Sequence, residues 1–332
     1  MAKLAVLGAG SWGTALAIAL APRFELVAMW ARDAERAKEI VRLRENRRYL
    51  PGFPLPSNVE AGSDIGTAVA NAGVILSVVP SRHLRNVLGA ARSFVPASAT
   101  LVSATKGLEE GTFFRMSELV RDSLDRQRLR PVAVLSGPTF AKEIAAGEPA
   151  AVVIACEDLS IAEQIQQAFA TPTLRFYTST DVIGVELGAA LKNVIAIGAG
   201  ICRGLGLGSN SAAALVTRGL AEITRLAVTM GGQPRTLSGL AGLGDLVLTT
   251  TGDLSRNRFV GVRLGEGDKL PQILAGMTMV AEGVETCRAA HHLGVQKEVD
   301  LPIIGKMYEV LYESKDPRQA IRELMERPLT SE

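Results

Sequence analysis

At 332 residues the chain exceeds the commonest single-domain length, so two domains are expected. Lys plus Arg (36) nearly cancel Asp plus Glu (34), and the formal charge of +2 excludes a broad nucleic-acid or membrane-binding surface while permitting local basic pockets. Apolar residues, at 47%, can fill a real core; three isolated cysteines (Cys156, Cys202, Cys287) and only three histidines exclude a zinc site or disulfide framework and fit a reducing cytoplasm.

The chain opens directly on a strand, Lys3 to Leu7, so no signal peptide is expected. β-Branched runs follow at Glu25 to Trp30, Gly73 to Val79, Ala99 to Ser103, Val132 to Leu135, Ala150 to Cys156 and Leu174 to Tyr177. Helical spacing fills the intervals at Ala34 to Asn46, Ser81 to Arg92, Phe113 to Arg126 and Leu159 to Phe169. Such alternation predicts a mostly parallel sheet with helices on both faces. After Thr180 no period-2 strand is found, and Ala/Leu/Gly segments at helical spacing run on to Ile303 to Glu313 and Pro317 to Glu326. The reading is therefore an α/β, Rossmann-like domain over residues 1–180 and an all-helical domain over 181–332. The most apolar stretch, Asp181 to Cys202, is interrupted by Glu186, Lys192 and Asn193 and is read as too polar to span a bilayer.

The first strand runs into Gly8-Ala9-Gly10-Ser11-Trp12-Gly13 and then an apolar helix, Thr14 to Leu20. In that context GxGxxG points to a dinucleotide: Gly8 for the turn, Gly10 for close approach to the pyrophosphate, Gly13 for helix–strand packing. At the end of the second strand Arg32 stands where a carboxylate would bind the ribose of NAD, so NADP is preferred over NAD, with Asp33 beside it opposing that choice. Ser103 to Gly107 and Ser136 to Thr139 each follow a strand, at the sheet edge where ligands bind; Lys106 is there either an anion ligand or a solvated lysine.

Asp181 to Ile201 is a helix whose Lys192 has Gly188, Ala189, Ile195 and Ala196 as its neighbours one turn away. Stripped of hydration, that amine would titrate nearer neutrality and serve as acid and base for an alcohol–ketone pair. The alternative is a lysine that snorkels to water. Downstream, the glycine-dense run Gly239 to Gly244 closes on Asp245, and Ser255-Arg256-Asn257 begins a further helix after a Gly-Asp turn. Its donors suit a phosphate, although an N-cap serine beside a surface arginine reads equally well.

Taken together the chain resembles the bacterial-type NAD(P)-dependent glycerol-3-phosphate dehydrogenases. The similarity runs through GAGSWGTALA (8–17), NRRYLPGFPLP (46–56), VPSRHLRNVL (79–88), SATKGLE (103–109), LSGPTFAKEIAAGEP (135–149), ELGAALKNVIAIGAGICRGLGLGSN (186–210), GLAGLGDLVLTTTGDLSRNR (239–258) and AEGVET (281–286). The resemblance implies an N-terminal Rossmann-like domain and a helical domain like the C-terminal one of 6-phosphogluconate dehydrogenase. It implies exchange of sn-glycerol 3-phosphate and dihydroxyacetone phosphate by hydride transfer at C2, supplying phospholipid synthesis. Lys192 would be the proton acceptor, oriented by Asp245. The implied substrate contacts are Lys106, Gly137, Thr139, Lys192, Asp245, Ser255, Arg256 and Asn257; the implied cofactor contacts are Ser11, Trp12, Arg32, Lys106, Ala141, Arg256, Val280 and Glu282. A cytoplasmic enzyme is expected, with a homodimer as its candidate assembly, without stable membrane insertion or a nucleic-acid partner. Two competing readings are a lysine-dependent reductase of a hydroxy acid such as ketopantoate, and a nucleotide sensor without catalysis.

Overall fold

A computed structural model describes residues 3–124, 130–277 and 279–329. Among these, the first part alternates strand and helix: β1 (Lys3–Leu7), α1 (Ser11–Leu20), β2 (Leu26–Trp30), α2 (Ala34–Leu43), β3 (Val59–Gly62), α3 (Ile65–Val69), β4 (Val74–Ser77), α4 (Ser81–Ala91), β5 (Thr100–Ser103), α5 (Met116–Ser123), β6 (Val132–Ser136), α6 (Ala141–Ala146), β7 (Ala150–Ala155), α7 (Leu159–Phe169) and β8 (Leu174–Ser179). The second part is helical: α8 (Val182–Gly204), α9 (Ser209–Thr229), α10 (Pro234–Leu237), α11 (Asp245–Thr251), α12 (Arg256–Gly265), α13 (Leu270–Ala275), α14 (Glu282–Gln296), α15 (Pro302–Tyr312) and α16 (Pro317–Met325).

The strands form one sheet in the order β3-β2-β1-β4-β5-β6-β7-β8, parallel throughout except where β6 meets β7. The order reverses between β1 and β4, and at that point an open α/β sheet leaves a crevice beyond its carboxyl ends. Alternation along β1 shows both faces covered: Leu4 and Val6 join the core beneath α1 and α7, while Ala5 and Leu7 join the core beneath α4 and α5.

All seven expected strands are present. Val59–Gly62 escaped sequence reading because it is a short edge strand with one β-branched residue, defined by pairing to β2 rather than by pattern. The helix expected to reach Asn46 stops at Leu43, where Arg44 turns left-handed (φ 52°). Asn46 then donates to the Ala9 carbonyl and to Thr14 Oγ1 at 2.9 and 2.8 Å, tying the following loop to the glycine turn. The helix expected over Phe113 to Arg126 is shorter at its start, beginning at Met116, and Arg126 lies outside the described residues.

Composition misled on one point. By length and mean hydropathy (1.6) α8 is apolar enough to cross a membrane, contrary to the expectation, yet 89% of that window is buried inside the fold. Its apolar surface is the core of the helical half, where Leu187, Leu191, Val194, Ile195 and Ile197 pack against α9, α11, α12 and α14. Asp181 starts it by accepting the Gly184 N–H at 2.8 Å.

Candidate active site

The crevice at the sheet's reversal is a cavity of about 340 Å³, walled by the glycine turn on one side and by α8, α11 and α12 on the other. Gly8 holds φ at +127°, and a Cβ there would lie 2.6 Å from the Val78 carbonyl oxygen. On Gly13 a Cβ would lie 1.9 Å from the Gly8 oxygen, so α1 seats on β1 only without one. Gly10 differs: an added Cβ would meet nothing within 4 Å and would stand in the cavity itself. No side chain caps the start of α1, so its first N–H groups face that opening, as does Ser11. The buried Trp12 indole N–H finds no acceptor among the described residues. This cradle fits the pyrophosphate and ribose of a dinucleotide.

Lys192 lies at the base of the cavity, 5% exposed, but it is not the unpaired amine the helix alone predicts. Its Nζ donates to Asp245 Oδ1 and Thr249 Oγ1, each at 2.6 Å. Asp245 and Thr249 are four apart on α11 and so share a face; that spacing was the available signal for Thr249, which sequence reading left without a role. The other oxygen of Asp245 accepts from Lys106 Nζ at 2.9 Å. A fully buried carboxylate thus serves two ammonium groups. Burial pushes the Lys192 pKa down to about 8; Lys106 assists, and Asp245 opposes.

Opposite stands the turn before α12. Ser255 is the N-cap, accepting the Arg258 N–H at 3.2 Å, and it also lines the cavity. Asn257 lines it too, while its Oδ1 accepts the Gly283 N–H at 2.9 Å and its Nδ2 donates to Asn193 Oδ1 at 3.0 Å. The exposed Arg256 donates to the Val280 carbonyl oxygen at 2.9 Å and reaches both this cavity and a second one of about 310 Å³. Glu282 lines both, its carboxyl pushed up by burial against the pull of Arg256 and Lys106.

Thr139 and Ala141 also line the first cavity; Arg32 and Val280 line the second. Two expected substrate ligands do not line either. Asp245 is 0% exposed behind the two lysines, and Gly137 forms a turn (φ +152°) pressed on Val152, which aims Thr139 inward. Asp33 lines neither cavity; its carboxylate caps α2 by accepting the Arg36 N–H at 2.9 Å. Among residues that sequence reading passed over, Tyr49 and Met279 line both cavities. Ser11 Oγ donates to the Tyr49 carbonyl at 2.6 Å and lies 3.1 Å from Met279 Sδ. Neither is placed by periodicity, because each is brought in by a loop, although Tyr49 lies within the family-like segment 46–56.

Residues 3–162 match the family described as NAD-dependent glycerol-3-phosphate dehydrogenase N-terminus, and residues 181–322 match its C-terminus. A glycerol-3-phosphate dehydrogenase [NAD(P)+] of Nitratidesulfovibrio vulgaris is 51% identical over 330 residues, 99% of this chain and 100% of that one. The crystal structure of glycerol-3-phosphate dehydrogenase from Coxiella burnetii superposes with a TM-score of 0.94 at 39% identity, covering 98% of this chain and 99% of that one. A ketopantoate reductase from Ralstonia eutropha, at 18% identity and a TM-score of 0.60 over 96% of this chain and 99% of that one, shares the fold alone. With both halves matched and the glycine turn facing the buried lysine, the chain belongs to the NAD-dependent glycerol-3-phosphate dehydrogenase family.

Proposed function

We propose that this chain interconverts sn-glycerol 3-phosphate and dihydroxyacetone phosphate, with NADPH preferred to NADH, in the cytoplasm. The observation that carries the reading is the Lys192–Asp245–Lys106 cluster at the floor of a cleft whose opposite walls are a dinucleotide turn and a donor-rich helix start. The chain divides functionally near residue 180, between β8 and α8, with the cofactor held mainly by the first part. Three buried free thiols support a reducing compartment.

The nicotinamide, when bound, exchanges a hydride with C2 of the substrate. The C2 oxygen needs a proton partner in the same step, and Lys192 holds that proton: its ammonium protonates the oxygen as ketone becomes alcohol, and its free amine takes the proton back in oxidation. Thr249 and Asp245 fix the Nζ position, and Asp245 keeps the amine protonated to higher pH than burial alone would. Lys106 adds positive charge beside the developing oxyanion. Ser255, Arg256 and the remaining N–H of Asn257 hold the phosphate at the start of α12, with Thr139 across the cavity. Gly137 and Asp245 act from behind, the one by aiming Thr139, the other by orienting Lys192.

The test is oxidation of NADPH with dihydroxyacetone phosphate, run beside ketopantoate and beside NADH. Turnover with the triose phosphate and none with ketopantoate is expected. The reverse pattern would assign the chain to hydroxy-acid reduction.

A further inference from the structure

The second cavity continues from the glycine turn toward the end of β2, where the adenosine half of a dinucleotide lies. Its wall is unusually cationic. Arg32 and Arg36 come from the β2–α2 connection; Arg82 and His83 come from the first turn of α4, across the sheet's switch point. Asp33, the carboxylate next to Arg32 in the chain, caps α2 and does not line this cavity. Among the described residues Arg32 has no ion-pair partner.

We propose that Arg82 and His83, with Arg32 and Arg36, form a site for the 2′-phosphate of a phosphorylated dinucleotide, and that the α4 pair is a main determinant of cofactor choice. This rests on, and deepens, the NADPH preference proposed above. The geometry prepares each donor. Arg82 Nε donates to His83 Nε2 at 3.2 Å, which assigns the imidazole proton to Nδ1 and leaves that N–H to donate elsewhere. Arg82 Nη1 is held by Glu285 of α14 at 2.8 Å, so the guanidinium is positioned while its second nitrogen remains available. Arg36 is fixed by Tyr49, donating to its hydroxyl at 3.0 Å with the guanidinium 5.0 Å from the ring centre.

Four guanidiniums (Arg32, Arg36, Arg82 and Arg256) line this cavity against one lining carboxylate, Glu282, and Glu285 pairs with Arg82 from outside it, so a net positive potential stands at the cavity. The imidazole senses it: burial, then Arg82, then Arg32 push the His83 pKa down. An unphosphorylated ribose brings nothing to relieve that potential. A 2′-phosphate brings about two negative charges and three acceptor oxygens, enough to engage Arg32, Arg82 and His83 Nδ1 together.

Calorimetric titration of the full-length protein with adenosine 2′,5′-bisphosphate and with 5′-AMP separates this inference from the reading beneath it. The wild type should bind the bisphosphate at least about tenfold more tightly. Arg82→Ala and His83→Ala should each erase most of that ratio while changing AMP affinity less than about threefold. If both variants keep the wild-type ratio while Arg32→Ala loses it, the α4 pair has no part in the site and the inference falls alone. If the wild type does not distinguish the two nucleotides, the NADPH preference falls with it.

Discussion

Lys192 acts through its surroundings, and those surroundings divide into what a helix shows and what only the fold supplies. Small, apolar neighbours at one-turn spacing made the desolvation legible in the sequence. Periodicity could not show the partners, because Asp245 stands 53 positions away and Lys106 another long interval in the opposite direction; only the family resemblance set Asp245 beside Lys192. The two lysines sharing one carboxylate dictate a sign for the pH dependence. Reduction of dihydroxyacetone phosphate needs the ammonium, so its kcat should hold below about pH 8 and fall above it, with oxidation showing the opposite trend. Asp245→Asn removes the charge that raises the Lys192 pKa and leaves Lys106 beside it. The fall in the reduction profile should then move to lower pH. A profile unmoved by that substitution would mean that another group supplies the proton. At the opposite wall, Ser255 is a helix cap that also faces the cavity, so capping does not take it out of reach of a ligand.

Among the elements, the pairing of α8 with α12 sets the distance between Lys192 and the turn proposed to hold the substrate phosphate. Gly200 and Gly204 on α8 face Gly261 and Gly265 on α12, and added Cβ atoms would strike backbone: 2.1 Å from the Arg258 oxygen for Gly200, 1.9 Å from the Ile197 oxygen for Gly261. The helices touch along their main chains, which brings Asn193 within 3.0 Å of Asn257. Glycine frequency in this half was visible in the sequence, but its use in helix packing was not, since spacing alone does not name the opposing helix. Gly261→Ala should cost about 2–3 kcal/mol in urea unfolding and raise the KM for the triose phosphate, because α12 carries the turn away with it. Gly305→Ala on α15, where a Cβ meets nothing within 4 Å, is the matched control and should be neutral or stabilising by up to about 1 kcal/mol. Equal losses in the two variants would show that helix glycines matter here for some reason other than this contact. Leu240–Gly244, a single wide turn of π-helix, ends where α11 begins and sets Asp245 at its first position. Sequence reading saw the glycines of that turn and the residue that follows, but not the wide turn itself.

Across the whole molecule the two halves are joined by side chains that no single-element pattern predicts. Glu186, on α8 and 7% exposed, accepts from Arg115 at 2.7 Å and from both the N–H and the hydroxyl of Ser117 at 2.7 Å, locking the helix that carries Lys192 to the start of α5. Ion pairs Arg82–Glu285 and Arg288–Glu110 add two further ties at 2.8 and 2.7 Å. The α/β order, the helical second half and the position of the glycine turn were legible because they repeat local periodicities; these ties were not, since each pairs residues far apart in the chain. Glu186→Ala leaves the buried Arg115 guanidinium with Glu118 as its remaining carboxylate partner among the described residues, and should lower stability by about 3 kcal/mol in denaturant titration. A loss under about 1 kcal/mol would show that the Glu186 pair contributes only what a surface ion pair does. The account as a whole turns on proton exchange by the buried amine, and Lys192→Ala tests it most directly, by turnover of dihydroxyacetone phosphate with NADPH alongside the dissociation constant for NADPH. A kcat lowered by about a thousandfold with cofactor affinity unchanged is the predicted result; a kcat near that of the wild type would contradict it.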